Sequence, residues 1–283
     1  MSALPITAVI LTKNEKNFIE RAVATVDFCA ERLVLDCGSV DGTQEIARAA
    51  GARVEHQPWL GWSAQRNRAA EIATHDWILV LEADEVITPD LRRSIHEVMT
   101  AGPDPRDGFN MNRRGDFLGA LLPNESRPAK RKSFVRLYNR RHSSWDLDMV
   151  VHEEVLVPGA RRPLDGILLH WRGFQLDDYV PAFDRYAAQE ARELTDKGVR
   201  VSALHVAARP VLRFGWLYLV RGDWRLGARG LIHAMLKGVQ EFLRYARAWE
   251  MQHSSEPVVD PPPSLTDGAG APDRRRRFAG RGR

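Results

Sequence analysis

Apolar and polar positions come in alternating blocks over the first hundred residues, and the blocks predict strands and helices in turn. Ile6 to Leu11 is apolar and β-branched, bounded by Pro5 and by Thr12-Lys13-Asn14-Glu15. It predicts a buried first strand with a polar loop at its C-terminal end. Phe18, Ile19, Ala22, Val23 and Val26 then recur at helical spacing. Arg32 to Leu35 predicts a short second strand, Gln44 to Ala50 a helix closed by Gly51, and Ala52 to His56 an edge-like third strand. Ser63 to Ala73 reads as another helix. The apolar run Trp77 to Leu81 leads straight into Glu82-Ala83-Asp84-Glu85, the pattern of a strand buried on both faces in the middle of a parallel sheet. Pro89 to Thr100 follows as a helix. Strand–helix alternation with short loops predicts an α/β fold, a mostly parallel sheet wound with right-handed crossovers.

Beyond Thr100 the pattern changes. Gly108 to Phe117 and Ser133 to Asn139 predict strands of a more irregular, mixed part of the sheet. Gly119 to Lys132 between them is polar and contains proline, a candidate mobile loop over a site. Val150 to Val157 and Gly166 to Trp171 predict further short strands. From Leu176 to Trp249 the chain turns helical, with helices expected over Asp177–Thr195, Val201–Val220 and Leu231–Ala248. Residues 257–283 are rich in Pro, Gly and Arg, have almost nothing to bury, and are expected to be disordered.

Composition narrows the class. A chain of 283 residues, 44% hydrophobic, is enough for one large α/β domain with an appendage. The net charge is +4, but residues 257–283 hold six Arg and three Asp, so +3 of it belongs to the tail. With no basic stripe bearing interleaved aromatics, nucleic acid is not an expected partner. Cys29 and Cys37 are too few for a disulfide framework or a zinc site, which fits a reducing compartment. Met1 to Pro5 has no basic region and does not read as a signal peptide. There is no run of eighteen apolar residues to span a membrane.

The candidate chemistry lies where the predicted strands end. Asn14-Glu15, Asp36 with Asp41, and Glu82-Asp84-Glu85 follow three predicted strands, and in a parallel sheet those ends fall on one edge. One acidic loop is ordinary solvation; three at one crevice point to a site. Glu82 and Asp84 are two apart and share a face of an extended chain, where hard oxygen ligands suit Mg²⁺ or Mn²⁺. The Gly38/Gly42 loop is neither a dinucleotide fingerprint nor a Walker A loop. A carboxylate such as Asp36 would repel a phosphate, but it can accept hydrogen bonds from a base N–H or a ribose hydroxyl.

Three stretches together carry a family resemblance: Thr12-Lys13-Asn14-Glu15, the run from Val34 to Thr43 with Asp36, Ser39, Asp41 and Thr43, and Ala64-Gln65-Arg66-Asn67 ahead of Glu82-Ala83-Asp84-Glu85. The chain resembles glycosyltransferase family 2, inverting enzymes of the GT-A fold, and within it the lipopolysaccharide-core β-glucosyltransferase-like group. The resemblance covers about the first hundred residues and continues more weakly through Val135-Arg136-Leu137-Tyr138, Val151-His152-Glu153-Glu154 and Leu169-His170-Trp171. It implies a Rossmann-like, mostly parallel sheet with flanking helices. Residues 1–100 would be the nucleotide-sugar half and 101–175 the acceptor-binding, catalytic half. Residues 176–256 would be a helical extension that associates with a membrane, followed by the tail.

By the same resemblance, Glu15 and Asp36 would contact the ribose and uracil of a UDP-sugar, with Thr12, Asn14, Ser39 and Asp41 in the same loops. Asp84 would be the metal-coordinating acid of an Asp-x-Asp motif. Glu82 departs from the usual Asp there, and its longer arm is open to metal, ribose or sugar. Arg66 and Asn67 would lie near the diphosphate or donor sugar, although an exposed helix charge is the alternative for Arg66. The general base is sought among His152, Glu153 and Glu154; the resemblance favours Glu153, while strand geometry leaves Glu154 open. His170 is a further metal or diphosphate contact or a solvated side chain. Arg136 and Arg140 are leaving-group or acceptor contacts or strand-end charges.

The expected activity is transfer of a hexose, with inversion, from a nucleotide sugar to a lipid- or glycan-linked acceptor such as a lipopolysaccharide core. Sugar-phosphate nucleotidyl transfer and non-catalytic sugar-nucleotide binding are the alternatives. Val201–Val220 and Leu231–Ala248 combine apolar residues, aromatics and basic flanks, as does a helix lying in a membrane interface. That pattern predicts peripheral contact with the inner face of the cell membrane from the cytoplasm; packing on the catalytic domain is the other reading.

Overall fold

The computed structural model describes residues 3–123, 134–148, 153–173 and 175–253. They fall into two compact units, one made of residues 1–181 with 213–236 and the other of 182–212 with 237 onward.

The first unit is built on a seven-stranded sheet. In chain order its strands are β1 (Leu4–Thr12), β2 (Cys29–Asp36), β3 (Arg53–His56), β4 (Trp77–Glu82), β6 (Gly108–Asn110), β9 (Val135–Asn139) and β12 (Arg161–Pro163). Across the sheet they run β12-β6-β9-β4-β1-β2-β3. β3, β2, β1 and β4 are mutually parallel, and β9 is inserted antiparallel between β4 and β6. The two-sided burial read from the apolar runs is present. Ile6, Ala8, Ile10, Leu79 and Leu81 face one core. Val9, Leu11, Ile78 and Val80, their odd-even partners, face the other.

Helices cover both faces. α1 (Ile19–Thr25), α2 (Thr43–Ala49) and α4 (Pro89–Thr100) supply residues to the first core, and α3 (Trp62–Ile72) supplies Ala69 and Ala70 to the second. Gly51 follows α2 with φ +86 and donates to Arg48 O, the left-handed stop expected there. β3 is an edge strand, as expected.

The second half departs from the expected pattern in three places. Gly108 to Phe117 is not one strand. It breaks after Asn110, so that β6 stays in the large sheet while β7 (Arg113–Phe117) leaves it. β7 joins β5 (Glu85–Ile87), β8 (Ala120–Leu121) and β13 (Leu168–His170) in a separate four-stranded sheet ordered β5-β13-β7-β8. Of Val150 to Val157 only β11 (Val155–Leu156) is strand among the described residues, paired with β10 (Ser144–Trp145). The helix expected over Val201–Val220 is α-helical only from Ala203 to Gly215, and Trp216–Val220 widens into a π turn. Most of the candidate loop Gly119 to Lys132, and the tail from residue 254, lie outside the described residues.

Among the described residues α5 (Leu176–Asp196), α6 (Ala203–Gly215) and α7 (Ala228–His253) follow in the chain. Residues 213–236 belong to the first unit and hold a buried network in which Asp223 accepts hydrogen bonds from Arg221, with His233 Nδ1 2.9 Å from Asp223 Oδ2. The His233 ring packs edge-on against Phe117 at 5.0 Å. In the second unit Ala191, Leu194, Val201, Tyr245 and Ala248 form a small core.

One glycine sets the approach of β13 to α4. Gly166 has φ +96, and a Cβ there would lie 2.2 Å from the Leu91 backbone nitrogen. Gly166→Ala is expected to lower stability by more than about 1 kcal/mol, read as a reduced midpoint in urea unfolding at unchanged slope. A midpoint equal to wild type would contradict this tight approach.

Candidate active site at the carboxyl edge of the sheet

Parallel register brings the three acidic loops to one edge. Thr12 pairs with Asp36 across β1 and β2, and Leu11 pairs with Glu82 across β1 and β4. The first two loops are knitted together. Asn14 has φ +56; its backbone N–H donates to Ser39 Oγ at 2.8 Å, and its Oδ1 accepts from the Val40 N–H at 2.9 Å. The Glu15 N–H donates to Thr43 Oγ1, and the Lys16 N–H to Asp41. Thr12 is buried and its hydroxyl has no partner.

Asp36 is fully buried under its own loop. Its carboxylate accepts from the Gly38 and Ser39 backbone N–H groups, the Ser39 hydroxyl and the Gln44 amide. Burial would raise its pKa, but these donors overcome it and hold the carboxyl below the usual range. In this structure Asp36 shapes its own loop through these bonds.

The third loop gathers charge from distant parts of the chain. A turn at Ala83–Asp84 ends β4, so Glu82 and Asp84 do not share the face of an extended strand. They meet instead around His170 at the end of β13: one ligand atom from each of Glu82, Asp84 and His170 lies within 4.8 Å of the others. His170 Nε2 is 2.8 Å from Asp84 Oδ2. Arg172 donates to the same Asp84 oxygen and, through its other arm, to Glu15. Burial of Asp84 is outweighed by the His170 and Arg172 bonds, and its carboxyl sits far below the ordinary range. Burial dominates at Glu15, whose carboxyl is raised despite Arg172.

Glu82 is ringed by arginines. Arg113 Nη2 lies 3.0 Å from its Oε2, and Arg136 and Arg66 lie 3.3 and 3.8 Å from its Oε1. Its carboxyl is lowered, with burial opposed first by Arg136 and then by Arg113. Glu85, fully buried, is held by Arg113 and accepts from the Glu82 N–H.

Arg66 is a buried group and not an exposed helix charge. Its guanidinium stacks 4.3 Å from the Trp145 ring centroid and lies 3.7 Å from Glu153. Burial and the neighbouring Arg136 push its pKa down to about 10, although Glu82 and Glu153 oppose them. Asn67 has both amide atoms committed to the Trp145 backbone, donating at 2.9 Å and accepting at 2.8 Å. It clamps the ring beneath Arg66.

Glu153 reaches this cluster, whereas Glu154 turns away to pair with Arg161 at 3.2 Å; His152 lies outside the described residues. Arg140 is a strand-end charge at the opposite edge, where it donates to the carbonyls of Ala70 in α3 and Ala73 just after it, and to Asp76. Reading the sequence alone did not find Arg113, Arg172 or Trp145. Each comes from the irregular second half, where no strand pattern marks a residue as facing the site.

This geometry is the setting for the comparisons with known proteins. Residues 7–144 match the family described as glycosyl transferase family 2. The chain carries a family 2 glycosyltransferase domain. The fold is GT-A, as the family resemblance implies, and the protein is a glycosyltransferase. It is 29% identical over 265 residues to the lipopolysaccharide core biosynthesis glycosyltransferase LpsC of Rhizobium meliloti, covering 91% of this chain and 97% of that one. It is 26% identical over 264 residues to an uncharacterized glycosyltransferase of Rickettsia prowazekii, covering 90% of each chain. Among solved structures it is similar to S. aureus TarS 1-349 in complex with UDP, at 13% identity and a TM-score of 0.44, over 89% of this chain and 91% of that one. Nucleotidyl transfer and non-catalytic binding give way to glycosyl transfer.

The loop built on Asp36 should show in the acid response of this glycosyltransferase. A carboxyl lowered in the folded state contributes stability that is present above its unfolded pKa, about 3.9, and lost as pH falls through the folded value. Asp36→Asn is expected to cost about 2 kcal/mol at neutral pH. The difference from wild type should shrink below about pH 4, measured by denaturant unfolding across pH. A difference independent of pH would show that the carboxylate charge is not what holds the loop.

Proposed function

We propose that this glycosyltransferase moves a hexose, with inversion, from a UDP-sugar to a lipid- or glycan-linked acceptor such as a lipopolysaccharide core. The observation that carries the reading is the convergence of Glu82, Asp84 and His170 at the edge where the β1 and β2 loops also end. Two carboxylates and an imidazole are a donor set suited to Mn²⁺ or Mg²⁺. Asp84 and His170, with Glu82 as third partner, would hold that ion. When bound, it supplies a Lewis acid and positive charge for the leaving diphosphate.

The remaining roles fall to this chain's own groups. The knitted loops of Asn14–Glu15 and Ser39–Asp41 offer backbone and side-chain partners to base and ribose, with Thr12 beneath them. Glu153 takes the proton from the acceptor hydroxyl as the new glycosidic bond forms and the sugar–diphosphate bond breaks. Its place beside Arg66 in the acidic cluster supports it over Glu154, which pairs with Arg161 instead.

The helical segments support peripheral contact of the enzyme with the cytoplasmic face of the membrane. Among the described residues no helix is long and apolar enough to cross one. In the first unit Leu219, Val220 and Met235 are exposed, as are Leu204, Val211 and Val239 in the second. Apolar residues presented to solvent in this number suit an interfacial helix.

A panel of UDP- and GDP-sugars with Mn²⁺ should show slow donor hydrolysis, and intact donors with no binding would overturn the donor reading. Asp84→Asn is expected to abolish turnover in a folded protein. Glu153→Gln should reduce transfer by about 10²–10⁴-fold while UDP still binds. If Glu154→Gln has that effect instead, the base is misassigned. Vesicles containing anionic lipid should co-sediment the protein, and Leu219→Glu with Val220→Glu should weaken that; recovery in the supernatant with both proteins would argue for packing instead.

A further inference from the structure

Arg66 and Arg136 carry more hydrogen-bonding capacity than the protein uses. Their side chains are 5% and 4% exposed. Nε and Nη1 of both lack a hydrogen-bond partner. The one carboxylate oxygen they share, Glu82 Oε1, lies 3.8 and 3.3 Å away, and the other oxygen of Glu82 is taken by Arg113. Two like charges buried side by side, with four nitrogens making no hydrogen bond and only Arg66 Nη1 near a further carboxylate, Glu153 at 3.7 Å, are costly to maintain. Structural arginines at such depth normally have their donors satisfied.

Their faces are already occupied. Trp145 lies 4.3 Å from the Arg66 guanidinium and 5.9 Å from that of Arg136, which also stacks on Phe134 at 4.3 Å. With the planes held by aromatic rings, only the N–H edges are left to meet a ligand. The groups that answer several guanidinium N–H at once are carboxylate and phosphate oxygens.

Position separates this pair from the donor side. Arg136 is on β9, across β4 from the β1 and β2 loops, while the link from Asp84 toward Glu15 is made by Arg172. Glu153 lies against Arg66. Next to Arg66, Trp62 is half exposed and packs edge-on with the exposed Trp59 at 4.7 Å, offering an apolar face to a sugar ring.

We propose that Arg66 and Arg136 form a subsite for an anionic substituent, a carboxylate or a phosphate, on the acceptor sugar. It lies beside the hydroxyl that Glu153 deprotonates. The inference rests on the transferase reading above and adds the acceptor's chemical class.

The test uses the full chain loaded with Mn²⁺ and UDP. Glucuronate and glucose 1-phosphate are titrated against neutral glucose and followed by calorimetry and ligand-observed NMR. One of the two anionic sugars is expected to bind at least about tenfold more tightly than glucose, and which one does so tells carboxylate from phosphate. Arg136→Gln should remove that preference while UDP affinity stays within about twofold, and Arg136→Lys should restore part of it. Equal binding of charged and neutral sugars by the wild type overturns the proposal whatever the variants do. So does a loss of UDP affinity in a folded Arg136→Gln protein, which would place the arginines on the leaving diphosphate. Failure of the wild type to bind UDP at all would instead sink the donor reading. The same titration without nucleotide would then decide the subsite.

Discussion

A dry apolar sheet can end in a cluster of carboxylates only if cations meet them there. Glu15, Glu82, Asp84 and Glu85 all stand at or beside the ends of strands whose interiors are fully buried. Left alone they would repel one another and draw protons. The chain answers with Arg66 from α3, Arg113 from β7, Arg136 from β9 and Arg172 after β13. The small sheet serves this need. By pairing β13 between β5 and β7 it carries Arg113, His170 and Arg172 to acids that lie between 28 and 157 residues away along the chain. The candidate site is thus an ion network first.

The network has two halves with different characters. Around Asp84 each group has a partner: hydrogen bonds run from His170 to Asp84 and from Arg172 to both Asp84 and Glu15. Around Glu82 the bonding is incomplete, because three guanidinium groups converge on a single carboxylate. Asn67 and Trp145 stiffen this second half by fixing a ring under Arg66, so the incomplete bonding is not relieved by a change of rotamer. Rigid groups that lack partners are what a binding site needs and what a folding core avoids.

The halves also differ in how far the sequence announced them. The β1–β4 core was legible because a two-sided strand leaves an unbroken apolar run, and strand-end acids can then be placed on one edge by topology alone. Asp36 was legible as a strand-end acid, but its loop contacts were not. Nothing in the sequence says that Gly38, Ser39 and Gln44 would close over it. Arg66 looked like a surface charge because its burial depends on Trp145, which lies 79 positions later. Arg113 and Arg172 were missed for a similar reason: one opens a five-residue strand and the other lies two residues beyond a three-residue strand, both too short for a periodic pattern to form.

β9 has a consequence for how the protein comes into being. It lies between β4 and β6 in space but follows both in the chain, with β6 ending at Asn110 and β9 beginning only at Val135. Until residues 135–139 leave the ribosome, β4 has an open edge and β6 has no strand to join it to the rest of the sheet. Strands β1 to β4 can assemble early from near neighbours, whereas β6 waits for a late insertion over a long sequence separation. Arg136 arrives with that insertion. Closing the sheet and delivering the second buried guanidinium are therefore one event, so a chain cut short before β9 would expose unpaired strand edges as well as lack half of its site.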